Sequence, residues 1–94
     1  MDKIYSIKSG YVFREIAGEF LVVPVTPDDG VKGMMILNPV SALLWQMLQS
    51  GKTVEELLKG VTSEFDVADD EARADILDFL AQLDNLGLLK TDKN

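Results

Sequence analysis

At Asn38-Pro39 the apolar pattern of this chain changes its period from two to about 3.6 residues, and no other feature limits its fold so tightly. Before that point lie three short β-prone runs, YVFREI (11–16), FLVVPV (20–25) and GMMIL (33–37). Ala17-Gly18-Glu19 separates the first pair and TPDDGVK (26–32) the second. Both connectors carry turn chemistry, since Gly supplies positive φ and Pro-Asp-Asp-Gly favours a tight reversal. Connections this short join antiparallel neighbours, so the spacing predicts a three-stranded meander. Pro24 cannot donate to a ladder and is expected near the strand end or at a bulge.

After the switch the spacing predicts three helices. Asn38 is a good N-cap and Pro39 a favoured first helical residue. Val40, Leu43, Leu44, Met47 and Leu48 then make one apolar stripe. Trp45 lies off that stripe by more than a quarter turn, so this helix should bury two faces, with Trp45 wedged between helix and sheet. The second helix repeats Val54, Leu57, Leu58, Val61 and Phe65. The third starts around Asp69 or Asp70, with acidic residues in the turn the helix dipole prefers, and its stripe is Ala72, Ile76, Phe79, Leu80, Leu83 and Leu86. Gly87 ends it, letting Leu88 fold back on Leu83. The order is β-β-β-α-α-α, an α+β arrangement with three helices against a small sheet. At 94 residues the chain is expected to be one domain, with residues 1–10 a flexible lead-in and 90–94 a flexible tail.

Between the first two helices stands Ser50-Gly51-Lys52-Thr53, the ending of a phosphate-binding loop. Such a loop needs a further Gly where this chain has Gln46, and a strand where this chain has a helix. Helix punctuation accounts for each letter instead. Gly51 suits the left-handed residue that ends one helix. Thr53 caps the next, with Glu56 reaching back in a capping box.

Composition removes whole classes of chemistry. The chain has no Cys and no His. Thiolate nucleophiles, Ser-His-Asp machinery and zinc or iron–sulfur sites built on those ligands are therefore absent. Neither a cofactor nor a metal is expected. The acidic series Asp66, Asp69, Asp70, Glu71, Asp75, Asp78 lacks the alternating ligands and central Gly of a calcium loop, and reads as a solvated helix face. Glu71, Asp75 and Asp78 repel one another at helical spacing, which a cationic partner segment would relieve. A net charge of −7, with only nine Lys and Arg, opposes nucleic-acid binding. No apolar run approaches the roughly 20 residues of a membrane span, and the first residues lack the layout of a secretory signal, so a cytoplasmic location is expected.

The third β-prone run is the most informative element. As the last strand of a meander it is an edge, and between Gly33 and Leu37 it carries no charge, Pro or bulge to protect its main chain. Either another element covers this edge or it stays open to accept a strand from a partner.

Leu37-Asn38-Pro39, Leu44-Trp45, Gly51 through Leu57, Phe65-Asp66-Val67 and the series Ile76, Phe79-Leu80, Leu83, Leu86-Gly87-Leu88-Leu89 resemble, in order and over about residues 34–89, the PqqD-like family. That resemblance implies a winged-helix-like domain of the kind called a RiPP recognition element, a non-enzymatic peptide chaperone. Such domains bind the leader of a ribosomally made precursor peptide and present it to a modifying enzyme, often a radical-SAM maturase. The leader would add to the third strand, in a groove walled by the third helix.

Carried onto this chain, main-chain groups of Met34, Met35, Ile36 and Leu37 would supply the ladder. Groove specificity is expected from one flank of the third helix, Arg73, Leu77 and Asp84 with Leu80 at its border. The opposite flank, Asp75, Asp78 and Gln82, is the alternative. Two rival functions are a winged-helix DNA-binding regulator and a homodimer whose edge strands pair with each other.

Overall fold

The chain, described as a computed structural model over residues 3–24 and 35–93, runs β1 (Lys3–Ile7), β2 (Tyr11–Ile16), β3 (Glu19–Pro24), β4 (Met35–Leu37), α1 (Pro39–Leu48), α2 (Val54–Glu64), α3 (Asp69–Asn85) and β5 (Leu89–Lys93). The expected connector 26–32 and Gly33-Met34 lie outside the described residues. β2, β3 and β4 form the antiparallel meander, in that order. Ala17 and Gly18 turn the chain between β2 and β3 with φ of 53° and 83°. This is the two-residue type I′ turn whose twist suits a hairpin. Gly18 adopts it freely, while the Cβ of Ala17 makes it cost about 1 kcal/mol. Pro24 ends β3, as a residue without an N–H should.

The chain ends correct the expectation of a flexible lead-in and tail. β1 pairs antiparallel with β5, from Lys3 opposite Lys93 to Ile7 opposite Leu89. Tyr5, Ile7 and Leu89 of this ribbon pack against the core. The ribbon is also fastened to the α1–α2 junction. Tyr5 N–H donates to the Lys52 carbonyl at 2.8 Å, and Lys52 N–H donates back to the Tyr5 carbonyl at 2.9 Å. Lys52 thus uses the main-chain groups that a phosphate loop would need.

The helix signals are realised. Asn38 Oδ1 accepts from Ser41 N–H at 2.8 Å, with Pro39 in the first turn. Thr53 and Glu56 close their capping box at 2.9 and 3.2 Å. Gly51, at φ 80°, follows α1, and Gly87, at φ 78°, follows α3. There Leu88 N–H donates to the Leu83 carbonyl at 2.9 Å and Gly87 N–H to the Asp84 carbonyl at 3.0 Å, the paired bonds of a Schellman cap. Leu83 and Leu88 are both buried, which brings the expected fold-back contact into the core.

That core lies between one face of the meander and the three helices. Val22 and Leu37 come from the sheet, Leu44 and Leu48 from α1, Leu57 and Val61 from α2, and Ile76 and Leu83 from α3. Trp45 is fully buried, its ring edge-on to Tyr11 at 6.5 Å, so it is a core residue and not a surface aromatic. Among the described residues no helix is long and apolar enough to cross a membrane.

Candidate functional site

The register of the sheet decides which main-chain groups of β4 are free. In a two-residue hairpin the closing pair, here Ile16 and Glu19, exchanges both hydrogen bonds, and bonded and non-bonded pairs then alternate along the ladder. Leu21, opposite Arg14, therefore turns its N–H and C=O toward β2, while Phe20 and Val22 turn theirs toward β4. Their partners Leu37 and Met35 bond to β3 in return. Ile36, opposite Leu21, is left with its N–H and C=O pointing away from β3, at an edge with no further strand among the described residues.

The side chains follow the same alternation. Leu37 is buried and Met35 packs on the core, whereas Ile36 is 63% exposed on the other face. The expected ladder of four residues thus narrows. Met35 and Leu37 are engaged with β3, Ile36 is open, and Met34 lies outside the described residues.

A cleft continues this edge into the helices. Asn38, next after β4, joins Val40, Ser41 and Leu44 of α1 and Asp75, Asp78, Phe79 and Gln82 of α3 around about 170 Å³ of empty space. Bulk water occupies roughly 30 Å³ per molecule, so one long side chain fits. Leu44 and Phe79 lie beneath the cleft nearly fully buried and Val40 is half-buried, so the surface the cleft presents is mostly polar. The polar groups form the rim. Asp75 and Asp78 are exposed and have no salt-bridge partner among the described residues.

The other flank of α3 looks elsewhere. Arg73 Nη1 donates to Glu55 Oε2 of α2 at 2.9 Å, which turns the flank it shares with Leu77 and Asp84 toward α2. Leu77 is 51% exposed, Asp84 is exposed, and Leu80 sits in the core at 5%. The structure therefore places Asp75, Asp78 and Gln82 around the cleft that begins at Asn38, Arg73, Leu77 and Asp84 on the α2 side, and Leu80 in the core. The α1 residues of the cleft did not emerge as site residues from the sequence, where Asn38 reads as a cap and Val40 and Leu44 as core. The signal available was their position immediately after the open strand.

The profile of the family described as coenzyme PQQ synthesis protein D, PqqD, matches residues 20–89. Two solved structures share the fold over nearly the whole length of both chains. One is TbiB1 in complex with the TbiA(beta) leader peptide, at 25% identity and a TM-score of 0.74, covering 95% of this chain and 99% of that one. The other is a lasso peptide synthetase B1 complexed with the leader peptide, at 19% identity and a TM-score of 0.72, covering 92% and 96%. No curated protein matches the chain in sequence.

Proposed function

The chain belongs to the PqqD family, and from that premise we propose that it is a non-catalytic adaptor which captures the leader of a ribosomally made precursor peptide by strand addition at β4. The observation that carries this reading is Ile36, whose N–H and C=O face outward on an edge that no other strand pairs among the described residues, near a cleft. A peptide strand alongside would exchange two hydrogen bonds with Ile36, each contributing about 1 kcal/mol net. Side chains reaching the cleft would add selectivity. Leader peptides bound to the two structural neighbours, TbiB1 and the lasso synthetase B1, support the same role here. The captured peptide would be passed to a separate modifying enzyme, with a radical-SAM maturase the expected class, in the cytoplasm.

The winged-helix regulator is the weaker reading on charge. α3 offers Arg73 among Asp69, Asp70, Glu71, Asp75, Asp78 and Asp84, and Arg73 is already paired with Glu55. DNA phosphates would meet a repulsive face.

The test is a titration of the 15N-labelled chain with the leader region of a precursor encoded beside its gene. Amides of residues 35–38 and of Asp75 to Gln82 should shift together. Unchanged spectra at high micromolar peptide would end this proposal. Light scattering on the free chain separates a self-pairing dimer from a monomer with an open edge.

A further inference from the structure

Resting on that reading, we propose that the cleft beside β4 selects a leader bearing a lysine or arginine, whose charged head meets Asp75 and Asp78. Three observations converge on this occupant. The surface that the cleft presents is mostly polar, with Leu44 and Phe79 nearly closed off beneath it, so the group that enters must carry a polar tip. Both charged residues on the rim are carboxylates, one turn apart on α3, and no Lys or Arg lines the cleft. Neither carboxylate is paired within the described part of the chain, while the one basic residue of α3 is held on the far flank by Glu55. Long cationic side chains are the ones that combine an apolar body with a positive tip.

An anionic side chain is the natural rival, because the start of α1 also borders the cleft. That helix end has little left to offer it. Pro39 has no N–H, Ser41 N–H is bound by Asn38 Oδ1 at 2.8 Å, and Ala42 N–H is bound by the Asn38 carbonyl at 2.8 Å. Val40 N–H alone remains, in a cleft that also holds two carboxylates, which would repel the anion. A purely apolar side chain would desolvate the polar lining and leave the repulsion between Asp75 and Asp78 unrelieved.

The experiment is a selection of random 12-residue displayed peptides on the full-length chain, with binding to β4 verified by amide shifts at residues 35–38. Peptides that dock there should carry Lys or Arg at one fixed position. Their affinity should fall about five- to tenfold on the Asp75→Asn/Asp78→Asn variant, in line with rim ion pairs, and likewise fall as salt is raised. The Asp75→Lys/Asp78→Lys variant should enrich Asp or Glu at that same position. Both pairs of substitutions are at exposed sites, so circular dichroism should match the parent. Peptides that dock at β4 without a preferred cation, or that bind the neutralised variant equally well, overturn this inference and leave the strand-addition reading standing. Failure of every peptide to dock at β4 overturns both.

Discussion

On one flank of α3, Arg73 reaches across to Glu55 of α2. On the other, Asp75 and Asp78 stand over a cleft with no counter-charge among the described residues. The sequence alone does not separate the two flanks, since each borders the same apolar stripe and carries charge. The first is joined to the helix before it, and the second lies next to the start of α1 and the open strand that feeds it. Position against neighbours, and not residue type, distinguishes a flank joined to α2 from a flank bordering the cleft.

The stripe between the flanks carries both, so the largest effect belongs to its centre. Ile76 is completely buried, and Ile76→Ala should cost about 2–5 kcal/mol in urea unfolding through lost burial and the cavity it leaves. Peptide binding should weaken with it, because both flanks lose their base. A cost below about 1 kcal/mol would mean that α3 is not seated on the core as described.

The strand edge gives a paired comparison with the next largest effect. Met35→Pro removes an N–H directed at β3 and should destabilise the chain by about 2–3 kcal/mol, since its partner carbonyl is left unsatisfied as well. Ile36→Pro removes an N–H directed outward. It should cost under about 1 kcal/mol of stability while lowering peptide affinity roughly tenfold. Thermal melts and titrations on the two variants separate these outcomes. Reversed behaviour would show that the bonding alternation along β4 is shifted by one residue.

Most of the meander and all three helices were legible in the sequence because their signals are local. Asn38, Thr53-Glu56, Gly51 and Gly87 each act within one turn of chain, and each was found where its chemistry put it. β1 and β5 were not legible. KIYSI and LKTDK are short and carry charge, and they become strands because each pairs with the other from the far end of the chain. The site divides in the same way. That β4 is an edge followed from strand order alone, whereas which of its residues faces outward required the hairpin register. The flank of α3 that borders the cleft required the position of α1, which no periodicity within α3 encodes. Leu77, an exposed Leu, lies on the flank that Arg73 ties to α2.

Arg73→Ala examines the α2-facing flank by itself. Both ends of its ion pair are largely exposed, with side-chain accessibilities of 43% and 59%. Solvent screening keeps such pairs weak, so stability should fall by no more than about 0.5 kcal/mol. Peptide affinity should stay within about twofold of the parent. A much larger loss of affinity, with stability preserved, would transfer the working surface to the Arg73 flank and break the comparison.

The smallest expected effect is the most discriminating, because stability and binding should move in opposite directions. Asp75 lies four residues after Glu71 and three before Asp78, so it feels like-charge repulsion from both at helical spacing. It sits beyond the first turn of α3, where the dipole's preference for acidic residues has faded. Asn and Asp have similar helix propensities, so Asp75→Asn changes little besides the charge. The free chain should therefore gain about 0.2–0.5 kcal/mol, read as a small rise in unfolding midpoint that shrinks as salt is added. The same substitution should weaken a cationic peptide at the cleft. A surface carboxylate kept only for solubility would give the gain in stability without the loss in binding. A carboxylate held against repulsion to meet a ligand gives both, and the two titrations together tell them apart.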